Sequence, residues 1–170
     1  MTYCVKLTNK NMQTYGGYQW VLGEKRTTSG KGGLCGPGWL HCYDSAEVAT
    51  FMYPHHVAFG TGMLAFEADG AGQTLDDHGL KRGYSEMTLT GQIELPVLTT
   101  EQRAEIAIRC SMLVCDDPEW REWAERWLDG SDRSATSAAG AEWADWVAWA
   151  AASAAIPLRQ IIMEVINAPR

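Results

Sequence analysis

The chain has no Cys-x-x-Cys pair, no run of twenty apolar residues and no surplus of basic charge, and each absence removes a class of protein. Its five cysteines are odd in number and carry no pairing signature, so they read as reduced, buried thiols rather than a disulfide framework. The most apolar window, residues 144–156, holds Asp145 and Ser153 and falls short of the roughly 20 residues that a bilayer requires. The first twenty residues lack the apolar core of a secretory signal, which together with the thiols points to the cytoplasm. A formal charge of −7 offers no basic face to a phosphate backbone, so DNA is not expected as a partner, and it is too dilute for a DNA mimic. P-loop, Rossmann and Ser–His–Asp signatures are absent, and G-T-G-M-L at 60–64 is too short to stand for one. No catalytic set and no cofactor is predicted. Cys35, His41, Cys42, His55 and His56 have the elements of a zinc site, but their spacings match no standard pattern, so no metal is predicted.

What is present is a chain of 170 residues, about one domain's worth, 46% hydrophobic, with eight tryptophans. Its character changes near Pro96. The first half is rich in glycine and strand signals. Residues 3–8 alternate, with Tyr3, Val5 and Leu7 on one face and Cys4 and Lys6 on the other. Residues 17–22 follow as a strand with Tyr18 and Trp20 sharing a face, and residues 24–33 read as an exposed polar loop. A short helix is expected after Asp44 as N-cap, with Glu47 completing a capping box and Pro54 ending it. Residues 63–68 form a strand ended by Asp69-Gly70-Ala71-Gly72, a polar loop covers 76–83, and a long strand bent or bulged at Gly91 covers 84–95.

The second half reads as helix. Thr99 and Gln102 form a capping box; Asp117 and Pro118 start another helix, closed by Gly130, with Trp120, Trp123 and Trp127 on one face and Glu122 and Arg126 paired on the solvent side. Residues 134–155 are Ala-rich, with Trp143 and Trp146 on a stripe and Trp149 off it, which makes these three the candidate interface of a homo-oligomer. Residues 158–166 close the chain as a short amphipathic helix. The predicted class is α+β: a mixed or antiparallel sheet with one short helix in residues 1–96, and a helical subdomain in 97–170 that packs on it or mediates oligomerisation.

Residues 34–43, L-C-G-P-G-W-L-H-C-Y, carry the candidate site. Gly36-Pro37-Gly38 makes a turn and the rest a strand, with Leu40 and Cys42 on a core face and Trp39, His41 and Tyr43 on the other. Two aromatics flanking an imidazole suit a packed layer or the floor of a cleft. The basic residues of the first half gather at Lys25, Arg26, Lys31, Lys81 and Arg82, in two loops that would form an anion site if they meet. The candidate ligand-binding set is therefore Trp39, His41, Tyr43, Arg26, Lys31, Lys81 and Arg82, since stacking plus a few cations holds a base and a phosphate together.

Several segments resemble a family of uncharacterised small phage-encoded proteins: K-L-T-N-x-x-M-Q-T-Y-G-G-Y-Q-W-x-L-G-E at 6–24, L-C-G-P-G-W-L-H-C-Y, D-D-H-G-L-K-x-G-Y at 76–84, E-L-P-V-x-T-T-E-x-R, and the Ala/Trp-rich tail. The resemblance spans most of the chain. It implies a phage origin and an accessory role, host takeover or counter-defence, inside the infected bacterium, and supplies no catalytic residues. The expected partners are a small nucleotide-like ligand or a host defence protein, with no membrane. A fold-only likeness runs to ADP-ribosyltransferase-like and RNA 2′-phosphotransferase-like domains, through a strand x-L-H-x-x, a helix and the strand M-L-A-F-E-A. That likeness implies NAD contact by His41 or Tyr43 with Glu86 or Glu67 from a later strand. A third reading is an interaction module using the Trp-rich helices.

Overall fold

In the computed structural model, which describes residues 1–53, 59–133 and 156–168, the chain divides into two units, Met1–Pro96 and Val97–Arg170. The fold class is α+β.

The first unit is built on antiparallel pairing. Strand β1 (Thr2–Thr8) pairs with β6 (Leu64–Asp76), β6 with β7 (Arg82–Ile93), and β7 with both β4 (Lys25–Thr27) and β5 (Leu40–Cys42). Thr28 still donates its N–H to Ser85 O at 2.8 Å, and Leu40 pairs with Tyr84. So β4 and β5 lie end to end along one edge of β7, and residues 29–38 leave that line and return to it. Beyond β5, Val5 N to Tyr43 O (2.7 Å) and Tyr43 N to Val5 O (2.9 Å) join β5 to β1. The path β1–β6–β7–β5 thus returns to its start and closes a ring of strands.

Inside the ring sit Cys4, Trp20, Leu40, Cys42, Phe66, Ala68, Tyr84, Met87 and Leu89. Leu40 and Cys42 are on the core face that alternation assigns them. A small hairpin, β2 (Gln13–Thr14) with β3 (Tyr18–Gln19), is turned by a 3-10 segment at Tyr15–Gly17 and brings Trp20 into the core. Helix α1 (Ala46–Met52) runs against β1.

Several local expectations give way. Residues 25–27, expected in a loop, are β4. The strand expected at 17–22 shortens to two residues. Ser45, not Asp44, caps α1, its Oγ accepting from Val48 N at 3.3 Å; Asp44 is taken by Arg82. Strand β6 does not stop at 69–72. Gly70 lets the Tyr84 ring lie across it, and Gly72 (φ +75°) sits in a bulge where two residues of β6 oppose Ser85. A second bulge, in β7 beside Gly91, matches the expected irregularity there. From Cys4 onward both faces of β1 are buried.

The second unit contains α2 (Thr100–Ser111), α3 (Pro118–Asp129) and α4 (Leu158–Asn167). Thr99 and Gln102 make the reciprocal capping box, Asp117 caps α3 with Pro118 behind it, and Gly130 ends it in the left-handed region. Ala104, Ile108, Ala124 and Trp127 form a core with Trp120 and Trp123 half-buried against it. Arg126 pairs with Glu122 at 2.7 Å. Trp143, Trp146 and Trp149 lie outside the described residues. Among the described residues no helix is long and apolar enough to cross a membrane.

Candidate functional site

The site begins with the excursion at residues 29–38. Its neck is tied by Gly30 N to Gly38 O at 2.9 Å and Thr28 Oγ1 to the same carbonyl at 2.8 Å. Gly38 admits no side chain, because a Cβ there would meet Lys31 O. With its ends together and five glycines in ten residues, the segment is an Ω-type loop, a class frequently used for binding.

The loop folds back over the outer face of β5, the face that carries Trp39, His41 and Tyr43. Trp39 Nε1 donates to Gly32 O at 3.0 Å, and His41 Nε2 makes a short hydrogen bond with Leu34 O. Gly83 opposite lets Leu34 and Trp39 close on the sheet. Trp39 and Tyr43 are 8% and 5% exposed, leaving His41 as the half-exposed member of the three. Because Nε2 faces a carbonyl, it carries the hydrogen of the neutral ring and leaves Nδ1 bare. Burial pushes the imidazole below its ordinary value, the Leu34 carbonyl opposes this, and the Lys6 and Lys81 charges add to the lowering.

The two basic segments meet: Lys81 Nζ donates to Cys35 Sγ at 3.2 Å. They do not pool their charge. Arg82 forks onto Asp44 (Nε–Oδ1 2.7 Å, Nη2–Oδ2 2.8 Å) with Asp76 at 3.7 Å, and this pairing holds its guanidinium firmly ionised. Lys25 pairs with Glu86 at 2.6 Å. Arg26 pairs with Glu24 at 2.9 Å and lies over the Tyr18 ring, with its buried Nε lacking a hydrogen-bond partner among the described residues. Lys31 is exposed and forms no ion pair among them. The expected set thus separates: Trp39, His41, Lys81 and Lys31 belong to the loop and the strand beneath it, Tyr43 is core, and Arg26 and Arg82 are engaged elsewhere. No hydrogen bond among the described residues joins His41 to Glu67 or Glu86, and no group of three or more His, Cys, Asp or Glu there could hold a metal.

Sequence reading overlooked Lys6. It points into the ring opposite Cys42, is 6% exposed, donates to His41 O at 2.5 Å and places its ammonium 4.9 Å from the Trp20 ring centre. Burial pushes it down to about 8. The available signal was its place in an alternating strand, on the same face as Cys4. A second omission is the exposed apolar side chains on and just after the hairpin, Tyr15 (99% exposed), Tyr18, Val21 and Leu22 (52% exposed).

Compared with protein-family profiles, curated proteins and solved structures, the chain returns no match.

Proposed function

We propose that this is a phage accessory protein, acting in host takeover or counter-defence in the infected cell's cytoplasm, that binds an anionic, nucleotide-like ligand without catalysis at the outer face of β5. One observation carries the reading. His41 and Trp39 present two ring N–H donors on one face, and both are met by neutral backbone carbonyls of a glycine-rich loop, beside the Lys81 ammonium. An anionic oxygen replaces a carbonyl on such donors with gain, because charge-assisted bonds are about twice as strong. Lys31 on the loop and Lys81 on the turn supply charge to a phosphate, and a ligand that takes the place of the loop carbonyls would meet the Trp39 ring now buried beneath them. The enzyme reading has less behind it, since Glu86 is spent on Lys25 and neither glutamate reaches His41.

A second reading, capture of a host protein, is favoured by the exposed Tyr15, Tyr18, Val21 and Leu22 on and just after the hairpin, larger apolar side chains than a solvated turn requires. The helical unit, with Trp143, Trp146 and Trp149, is assigned to oligomerisation in either case.

The test is titration calorimetry of the full chain against nucleoside mono- and diphosphates, with His41→Ala, Lys81→Ala and, as a control, Arg26→Ala. Binding weakened at least tenfold by the first two and little by the third supports the site. No heat with any nucleotide, or equal loss in all three variants, refutes it.

A further inference from the structure

Cys35 departs from the expectation of buried thiols. It is the exposed cysteine, whereas Cys4, Cys42 and Cys110 are buried and Cys115 is partly covered. It occupies the third position of a tight turn within the loop of residues 29–38, closed by Gly36 N to Gly33 O at 2.8 Å. Its Sγ accepts from Lys81 Nζ at 3.2 Å, across 46 positions of the chain. Lys81 stands on a second braced turn: Leu80 N bonds Asp77 O at 3.3 Å, Asp77 N bonds Lys81 O at 3.2 Å, and Lys81 N bonds Asp77 Oδ1 at 2.5 Å. Asp77 thus gives a carboxylate oxygen to the Lys81 backbone. Among the described residues the ammonium forms no ion pair, and its hydrogen-bond partner is the sulfur. A thiol and an amine are both nucleophiles and do not react while the sulfur is reduced. Oxidised sulfur is an electrophile, and here the amine already lies beside it.

We propose that Cys35 and Lys81 form an oxidative latch, in which hydrogen peroxide converts the thiol to a sulfenic acid and the Lys81 amine captures it as a covalent Sγ–Nζ sulfenamide. In the first step the peroxide O–O bond breaks, one oxygen bonds to sulfur, the other leaves as water, and sulfur gives up two electrons. In the second, the ammonium gives a proton to solvent and its nitrogen lone pair attacks sulfur. The S–O bond breaks, and the oxygen leaves as water with a second proton from the nitrogen. The sum is RSH + R′NH2 + H2O2 → RS–NHR′ + 2 H2O, with peroxide as the oxidant. Two turns tied by backbone bonds bring the reacting atoms close together beforehand, the arrangement that favours an intramolecular step. The link pins the loop to the start of β7 and fixes it over Trp39 and His41. A dithiol reverses it, restoring thiol and amine as it is itself oxidised to a disulfide. The latch needs no ligand and stands apart from the proposed function.

Mass spectrometry of the full chain tests it. The folded protein is treated with hydrogen peroxide, its remaining thiols are alkylated, and it is cut after glutamate. Cleavage at Glu24, Glu47, Glu67 and Glu86 puts Cys35 and Lys81 on separate peptides, 25–47 and 68–86, and the second holds no cysteine, so a disulfide cannot join them. The expected product is one species with the summed mass of the two peptides, Cys42 alkylated, less two hydrogens, and it is separated into its two parts by dithiothreitol. Cys35→Ser is expected to abolish it, as is Lys81→Arg, which keeps the charge without a condensing amine. Unfolding in urea before oxidation is expected to lower its yield roughly tenfold or more, because the two turns no longer hold the pair together. Cys35 carried to sulfinic or sulfonic acid with the Lys81 peptide free, a link that persists in Lys81→Arg, or an equal yield from the unfolded chain overturns the proposal.

Discussion

Replacing Lys6 by Met removes a charge from the interior of the sheet while keeping a straight, flexible side chain of similar length. A lysine pushed from 10.5 to about 8 by burial carries a cost of about 3 kcal/mol at neutral pH, at 1.36 kcal/mol per pKa unit. Against this stands the loss of its hydrogen bond to His41 O, worth about 1 kcal/mol. The variant is therefore expected to be more stable than the wild type by about 2 kcal/mol at pH 7. The pH profile is the sharper readout. Between its folded value of about 8 and its unfolded value of 10.5, Lys6 binds more protons in the unfolded chain, so its contribution to stability rises with pH. Cys42, Cys110 and Tyr43 act in the opposite sense at higher pH: the hydrogen bond with Cys4 together with burial raises the folded value of Cys42, and burial raises those of Cys110 and Tyr43, so ionisation favours the unfolded chain. Cys110 and Tyr43 do not feel Lys6 and cancel in the difference, whereas Cys42 loses the lowering influence of the Lys6 charge in the variant, so its folded value rises further and adds to the shrinking of the advantage at high pH. Urea unfolding followed by circular dichroism, with slopes compared to confirm that the unfolded states match, is expected to show the variant's advantage shrinking by about 2 kcal/mol between pH 7.5 and 10. A constant difference across that range, or a variant several kcal/mol less stable at pH 7.5, refutes the account of Lys6 as a buried charge whose contacts with His41 O and the Trp20 ring fall short of its desolvation cost.

Three further outcomes follow from the packing. Gly70→Ala puts a Cβ into the Tyr84 ring and is expected to destabilise the first unit by about 1–3 kcal/mol, read as a lowered thermal midpoint. Thr99→Ala removes one half of the capping box of α2 and is expected to cost about 1 kcal/mol in the second unit, visible as faster exchange of the Gln102 amide. Arg82→Lys keeps the charge but loses the two-pronged contact with Asp44, and is expected to lower stability by about 1 kcal/mol where a surface Arg→Lys change would do nothing measurable.

What the sequence made legible was set by local chemistry. The Thr99 box, the Asp117–Pro118 start, the Gly130 stop and the irregularity at Gly91 all depend on neighbours in the chain, and all are found in the structure. So is the assignment of Leu40 and Cys42 to the core, which needs only alternation. Features decided by distant residues were misread. Asp44 has cap chemistry, but Arg82, far along the chain, claims it and leaves the cap to Ser45. Gly70 and Gly72 resemble a strand terminator, yet one gives room to Tyr84 and the other supports a bulge. Residues 25–27 look like loop because two of the three face solvent, and only β7 makes them a strand. Closure of the sheet through Val5 and Tyr43 leaves no mark on either residue, and it is closure that turns Lys6 from a surface lysine into a core cation. At the candidate site, the residue types near the loop were visible but their ion pairs were not. Asp44, Glu24 and Glu86 remove Arg82, Arg26 and Lys25 from the cations available to a ligand.

The central claim is that the outer face of β5, under the loop, is where a ligand binds. It is tested most directly by following the ring N–H signals of His41 and Trp39 in nitrogen–proton spectra while a nucleoside diphosphate is added. Exchange of their loop carbonyl partners for phosphate oxygens predicts saturable shifts of both signals, together with those of Gly32 and Leu34. Unmoved ring signals at saturating nucleotide, or shifts confined to other parts of the chain, contradict it.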